Sequence, residues 1–383
     1  MDAGKARLES IDTLRGLIMI VMALDHTRDF VHSAAFHFQP EDLTQTTAAI
    51  FLTRWITHFC APVFMLCAGL GAWFYGRRGK PALSKFLLTR GLWLVVLELT
   101  VLRFGFFFSL TEGPLLLTIL WALGLCMILL AALIWLPMRV IAVLSVALML
   151  FHNLFDSVKG GVLWTILHRQ GVFTAGGEVF VVAYPLIPWI GVMAAGYCLG
   201  QVFALEERRR RRILFRWGVA LTLAFFVIRG INVYGDPTPW THPGGIKTVL
   251  SFLRCQKYPP SLDFLLMTLG PPITLLAFLP DRGIARTNPL LVFGRVPLFY
   301  FVLHFYVIHL STIVLSMISY GTPRYGLGGS PSFSSMKGFP PDFGYSLGVV
   351  YLVWIVVVVA VYPACLWFSR IKERRRDWWL GYL

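Results

Sequence analysis

Residues 7–32 read RLESIDTLRGLIMIVMALDHTRDFVH. A charged lead-in ends at Arg15-Gly16, an apolar run follows from Leu17 to Leu24, and then come Asp25, His26, Arg28, Asp29 and His32. Such a run is apolar enough to enter a bilayer, but five ionisable groups within it are costly unless they have partners and a task. On a helix, residues three or four apart share a face. His26 with Asp29, Asp25 with Arg28, and Arg28 with His32 have that spacing. Asp29 is therefore expected to hold the His26 ring, while Asp25 and Arg28 neutralise one another. A carboxylate that orients an imidazole also fixes its tautomer. If Arg15-Gly16 marks the inner boundary, His26 stands ~15 Å along the helix axis, near the middle of a ~30 Å hydrocarbon core.

The rest of the chain supports a membrane reading. Of 383 residues, 57% are hydrophobic and 14% charged, with a mean hydropathy of +0.70. A soluble domain carries about 25% charged residues. The apolar runs are continuous rather than alternating, which argues against a transmembrane barrel. The expected fold is an all-α polytopic membrane protein of about ten transmembrane helices, with both termini cytoplasmic. The spans are expected near 14–35, 47–75, 84–108, 114–135, 138–155, 179–203, 213–233, 261–279, 289–318 and 345–369. With that topology, 23 of the 34 lysines and arginines fall on the inner side, as the positive-inside rule asks. The net charge of +15 then reports topology, not nucleic-acid binding. The block Arg208–Arg212 reads as an inner anchor that also favours anionic lipid. The first run is read as a retained helix, since charges interrupt it before any small-residue cleavage site. Residues 1–383 are read as one domain, with a basic cytoplasmic tail from about 370 to 383, and the inner membrane is the expected location if the source is bacterial.

Six cysteines, at 60, 67, 126, 198, 255 and 365, lie mostly inside apolar runs without metal or CxxC spacing, so buried free thiols are expected. No glycine-rich phosphate loop occurs. Three Gly- and Pro-rich segments, 156–178, 234–260 and 319–344, are long enough to be functional and read as ordered outer lids. In the second span, RWITHFCAPVFMLCAG (54–69) sets Arg54 and His58 on one face, with Pro62 poised to kink the turn below. Cys67, Ala68, Gly69, Gly71 and Ala72 are small enough for close helix approach, and an antiparallel neighbour is expected to bring His58 near His26. Glu98 and Arg103 read as a packing pair, His304 and His309 as interhelical hydrogen-bonding groups, and His152 as interfacial. Zinc on His26, Asp29 and His58 is set aside, because catalytic zinc needs three well-placed ligands. No metal is expected.

The segments RLESIDTLRG (7–16), MALDHTRDF (22–30), RWITHFCAPVFMLCAG, YPLIPWIGVMAAGY (184–197), KYPPSLDFLLMTLGP (257–271) and FGRVPLFYFVLHFYVIHL (293–310) occur in this order. Together they resemble the bacterial heparan-alpha-glucosaminide N-acetyltransferase-like membrane proteins, over roughly residues 7–370. LRG with a histidine ten positions after its glycine also resembles the wider integral-membrane acyltransferases, whose essential histidine falls where His26 stands. The resemblance implies a cytoplasmic acyl-CoA donor, a mid-membrane histidine and an outer acceptor such as a sugar or glycolipid. In animal members the active histidine comes later in chain order, where His32 is the nearest candidate.

Two functions compete at this stage. In an acyltransferase, Arg15, Arg90 or Arg295 would meet the anionic end of acyl-CoA, which the resemblance implies to be acetyl-CoA. His26, oriented by Asp29 and with Asp25 beside it, would act as general base or transient acyl carrier. His58 would assist, and Arg54, Arg28, His32 and His304 would line the acceptor side and polarise a developing oxyanion. Membrane lipids are the expected surroundings, and a homo-oligomer is left open. The alternative is a proton-coupled transporter or flippase, since embedded Asp, Glu, His and Arg also mark ion pathways.

Overall fold

The computed structural model describes residues 8–109, 113–327, 340, 342–375 and 377–382. Lys5, Arg7 and Arg376, which the topology reading places on the inner side, lie outside the described residues, as do residues 328–339 of the expected lid 319–344. The chain is mostly helical. In order come α1 (Glu9–Val31), α2 (Ala48–Thr57), α3 (Cys60–Tyr75), α4 (Lys80–Leu97), α5 (Arg103–Phe107), β1 (Leu115–Leu117), α6 (Ile119–Leu133), α7 (Met138–Phe151) and α8 (Val162–Leu167). Then follow β2 (Gly171–Ala175), β3 (Glu178–Val182), α9 (Trp189–Leu199), α10 (Glu207–Ile231), α11 (Gly245–Leu253), α12 (Leu262–Leu276), α13 (Pro289–Arg295), α14 (Pro297–Tyr320), α15 (Arg324–Leu327) and α16 (Leu347–Arg374).

Among the described residues, five helical stretches are long and apolar enough to cross a membrane: Ala48–Arg78, Met138–Phe155, Glu207–Ile231, Pro297–Tyr320 and Leu347–Arg374. Three shorter apolar helices, Ile119–Leu133, Trp189–Ala204 and Leu262–Leu276, pack among them. The first helix is long enough but carries Glu9, Asp12, Arg15, Asp25, Arg28 and Asp29. Its burial explains how it tolerates them: Asp12, Asp25 and Arg28 are all buried against neighbouring helices.

Prolines set the breaks in the two longest runs. Pro62 lacks the N–H that would bond the His58 carbonyl, and α2 ends at Thr57 while α3 begins at Cys60. Pro297 likewise opens α14 directly after α13 ends at Arg295. Local caps fix other starts. Thr47 accepts from the Ile50 amide at 3.3 Å, Ser261 from the Phe264 amide at 3.1 Å, and Asn288 from the Leu290 amide at 2.9 Å.

The expected helix from residue 179 begins ten residues later. Glu178–Val182 is a strand, antiparallel to β2 and parallel to β1. The β-branched and aromatic run VFVV suits a pleated surface better than a helix, and Pro185 and Pro188 hold the helix back until Trp189. The pairing of Glu98 with Arg103 is also not formed. Glu98 starts a π-helical turn, Glu98–Leu102, and its carboxylate accepts from Thr118 Oγ1 (2.5 Å) and the amides of Leu120 (2.9 Å) and Trp121 (3.2 Å). It satisfies the open N-terminus of α6, where a negative charge is favoured. Arg103 turns instead to the Gly113 carbonyl and to Glu178.

Helix α1 lies against α13, α14 and α16. At its crossing with α13, Gly16 faces the Leu290 carbonyl and Gly294 faces the Asp12 carbonyl so closely that neither leaves room for a Cβ. Gly69 and Gly196 do the same between α3 and α9. Small residues let backbones approach where no hydrophobic force separates protein from lipid. We expect Gly16→Ala to destabilise the protein by about 1–3 kcal/mol through overpacking, read as a lower thermal midpoint in detergent. An unchanged midpoint would show that the α1–α13 crossing is loose. All six cysteines are free, and all but half-buried Cys198 are buried.

Candidate active site

His26 stands on α1 with its ring between Phe301 and Phe305 of α14, at centroid distances of 5.9 and 5.1 Å. Its Nδ1 is 2.9 Å from Nε2 of His304, and Nδ1 of His304 is 2.9 Å from the Tyr300 carbonyl oxygen. A carbonyl only accepts, so His304 Nδ1 carries its proton and His304 Nε2 is an acceptor. His26 Nδ1–H then donates to it, and His26 Nε2 keeps a free lone pair. The sequence reading gave Asp29 the task of orienting His26; the structure gives the contact to His304. Spacing on one helix cannot reveal a partner 278 residues away.

Asp29 is occupied elsewhere. Arg28 Nη2 donates to Asp29 Oδ1 at 2.6 Å and to Asp25 Oδ1 at 3.0 Å, which realises the expected Asp25–Arg28 pair. Arg54, arriving from α2, places Nη1 2.7 and 2.6 Å from the two oxygens of Asp25 and donates from Nε to Glu41 Oε1 at 2.9 Å. Two arginines and three carboxylates thus form one continuous network. Lys257, on the approach to α12, lies within electrostatic reach of Asp25. Glu41 was not singled out from the sequence, because its loop holds no hydrophobic period to place it. Burial alone would push its carboxyl up; the Arg54 charge and the His58 hydrogen bond instead hold it well below the usual carboxylate range.

His58 sits in the break between α2 and α3. Its Nε2 is 3.3 Å from Glu41 Oε1 and its ring packs on Phe264. It does not line the chamber that His26 faces, so the expected approach of the two rings is replaced by a link through Glu41 and Arg54. His32 ends α1 and pairs through its backbone with Tyr345, and its ring is buried. His309 bonds the Gly105 carbonyl at 2.7 Å and so ties α14 to α5.

Two cavities meet beside His26. One, of about 300 Å³, is walled by Asp25, His26, Asp29 and Arg54, with Tyr184, Tyr258 and further residues. The other, of about 260 Å³, is lined by Arg15, Arg90 and apolar side chains, with small Ala68, Gly71 and Ala72 in its wall. Ile119 and Phe301 line both, and the Phe301 ring is the one that lies 5.9 Å from that of His26. Arg15 also holds Asp12 and the Gly294 carbonyl, each at 3.0 Å. Arg90 reaches the Gly381 carbonyl. Arg295, expected beside them, is committed to Glu9 and Glu373 and does not line the cavity.

A family model described as heparan-alpha-glucosaminide N-acetyltransferase, catalytic, matches residues 7–234, more than half of the chain. The chain belongs to that family. No curated protein matches it. Membership in the heparan-alpha-glucosaminide N-acetyltransferase family makes it an acetyltransferase, and its long apolar helices make it an integral membrane protein. The matched region carries α1 through α10, with Arg15, His26, Arg54 and Arg90. The partners of His26 on α14 and the tyrosine of KYPPS lie beyond it. Tyr184 and Tyr258 were inside quoted motifs but were not singled out; an aromatic beside prolines gives no local sign that it will face a chamber. They meet hydroxyl to hydroxyl at 3.4 Å.

Proposed function

We propose that this protein moves an acetyl or other small acyl group from cytoplasmic acyl-CoA to an amine or hydroxyl, on a sugar or glycolipid, at the outer face of the membrane. In this reading the chain crosses the bilayer ten times with both termini inside, residues 1–383 act as one unit with a basic tail, and a bacterial protein sits in the inner membrane among anionic lipids. The observation that carries it is the pair of cavities that share Ile119 and Phe301, with His26 lining one of them and packed on Phe301. The chamber between Arg15 and Arg90 is narrow and apolar, which suits a pantetheine arm whose phosphates meet the two guanidinium groups. The chamber of Asp25, Asp29, Arg54, Tyr184 and Tyr258 is polar, which suits a hydroxyl-rich acceptor.

The chemistry follows from the tautomer. His26 Nε2 takes the proton of the attacking amine or hydroxyl as the new bond to the thioester carbonyl forms. The C–S bond then breaks, and the same nitrogen returns the proton to the leaving sulfur. While His26 carries the extra proton, the charge of the Asp25 carboxylate favours it. The alternative order, in which His26 holds the acyl group first, uses the same nitrogen. Arg28 and Arg54 act as positioning residues: Arg28 holds both carboxylates in place, and Arg54 holds Asp25.

Radiolabelled acetyl-CoA with purified protein and amino-sugar acceptors tests the reading: labelled sugar and free CoA are expected in equal amounts. Solute uptake driven by a proton gradient, without CoA release, would overturn it. His304→Leu removes the acceptor that fixes the His26 tautomer. We expect kcat to fall about 10–100-fold, about 1.4–2.7 kcal/mol of barrier, with KM for acetyl-CoA unchanged. An unchanged kcat would mean that His304 only packs.

A further inference from the structure

Away from both cavities, three side chains converge that the transferase chemistry does not use. His152 opens the 3-10 turn His152–Phe155 after α7, Asp156 follows that turn, and His168 follows α8. One ligand atom from each lies within 4.8 Å of the other two. His152 Nδ1 faces His168 Nε2 across 3.4 Å, and His168 Nε2 lies 3.8 Å from Asp156 Oδ1. Both rings are buried, at 3% and 2% exposure.

We propose that these residues form a metal site for a divalent transition cation of the zinc class. With zinc–nitrogen bonds of ~2.0–2.1 Å, two imidazole nitrogens on a tetrahedral centre stand about 3.3–3.4 Å apart. The facing nitrogens already have that separation, which is long for a direct hydrogen bond. His152 has no better partner: its Nε2 is buried with no hydrogen-bond partner among the described residues. Its Nδ1 is the ring nitrogen with a polar neighbour, and a cation between the rings would give that nitrogen a ligand bond in place of the long contact to His168. The carboxylate supplies charge, and it is held in place: Asn153 Nδ2 donates to Asp156 Oδ2 at 2.8 Å, leaving Oδ1 turned to the histidines. Asn153 Oδ1 in turn accepts from the Leu262 amide at 3.0 Å. Trp164 stacks on the His168 ring at 4.9 Å. Ligands whose outer partners are already fixed are the pattern of a built site.

Two imidazoles and one carboxylate favour zinc, cobalt or nickel over magnesium or calcium, which take all-oxygen shells. His168 Nε2 now lies 3.0 Å from the His152 carbonyl oxygen, to which it donates. A metal at that nitrogen replaces the proton, so binding releases one and weakens as pH falls. The consequence is structural. His168 stands two residues before Gln170, and Ala183 and Tyr184 close the same strand pair; all three wall the chamber that His26 faces. The ion would clamp α7 to the segment that forms this wall.

Tag-free full-length protein in detergent, stripped with EDTA and dialysed, is titrated with zinc and with magnesium. We expect close to one zinc per chain by elemental analysis and a thermal midpoint raised by zinc but not by magnesium. Asp156→Asn, which keeps the shape and the Asn153 contact, and His168→Gln are expected to weaken zinc binding at least tenfold. Zinc content far below one per chain, with no thermal shift in the wild type, overturns the site. So does wild-type affinity in both variants. Should a variant not fold, the wild-type zinc-against-magnesium comparison decides alone.

Discussion

His26→Ala is expected to lower kcat for acetyl transfer about 10²–10⁴-fold, the usual worth of a positioned acid–base group. The loss should far exceed that of His304→Leu, because the alanine removes the nitrogen that accepts the proton and not only the group that aims it. Stability should change little. His26 is only partly buried and borders a chamber, so its loss enlarges a space already present instead of opening a hole in the core. The KM for acetyl-CoA should stay close to that of the wild type, since Arg15 and Arg90 lie at the other cavity. The readout is labelled product under saturating donor and acceptor, beside a thermal midpoint. Equal rates for the two proteins would remove His26 from the chemistry.

Arg54→Ala should be the most damaging change to stability. The guanidinium bridges both oxygens of Asp25 and one of Glu41 from a position 12% exposed. Removing one member of a buried pair leaves charge without compensation and costs about 3–5 kcal/mol; the low end applies because Arg28 still faces Asp25. Arg54→Lys should recover only part, since an ammonium cannot fork between two carboxylates. The sign with pH follows from Glu41. Its carboxyl titrates well below its ordinary value in the folded protein, so its contribution is present above the unfolded value near 4.3. It fades as pH falls from there through the depressed folded value. Thermal midpoints of the wild type and Arg54→Ala should therefore converge on acidification. A constant gap from neutral pH down to pH 3 would contradict the network.

What could be read from the chain beforehand followed from local rules. The charged half of α1 announced a site because charge in an apolar helix needs a reason, and the i, i+3 spacing of Asp25 and Arg28 gave their pair. Gly69 could be read as a close-approach position, although only the fold shows that it meets the Met193 carbonyl and that Gly16 meets that of Leu290. Two of the contacts missed at the site are distant in sequence or loop-borne. His304 and Glu41 reach the site across 278 and 13 residues, and no periodicity encodes such contacts. Asp29 was given a partner by helical spacing and Arg103 one because embedded charges tend to pair, but the folded chain offered better ones: Arg28 for the first, the Gly113 carbonyl and Glu178 for the second. The strand Glu178–Val182 was misread because a short apolar run carries no period that separates a buried strand from a helix.

The account rests on a thioester reaching His26 from the Arg15–Arg90 cavity. A structure of the protein with a non-hydrolysable acetyl-CoA analogue tests this most directly. The predicted result sets the phosphates against Arg15 and Arg90, the pantetheine arm along Ala68, Gly71 and Ala72, and the acyl carbonyl past Phe301, beside Nε2 of His26. An analogue bound away from both arginines, or one whose acyl end stops behind closed packing of Ile119 and Phe301, would contradict it.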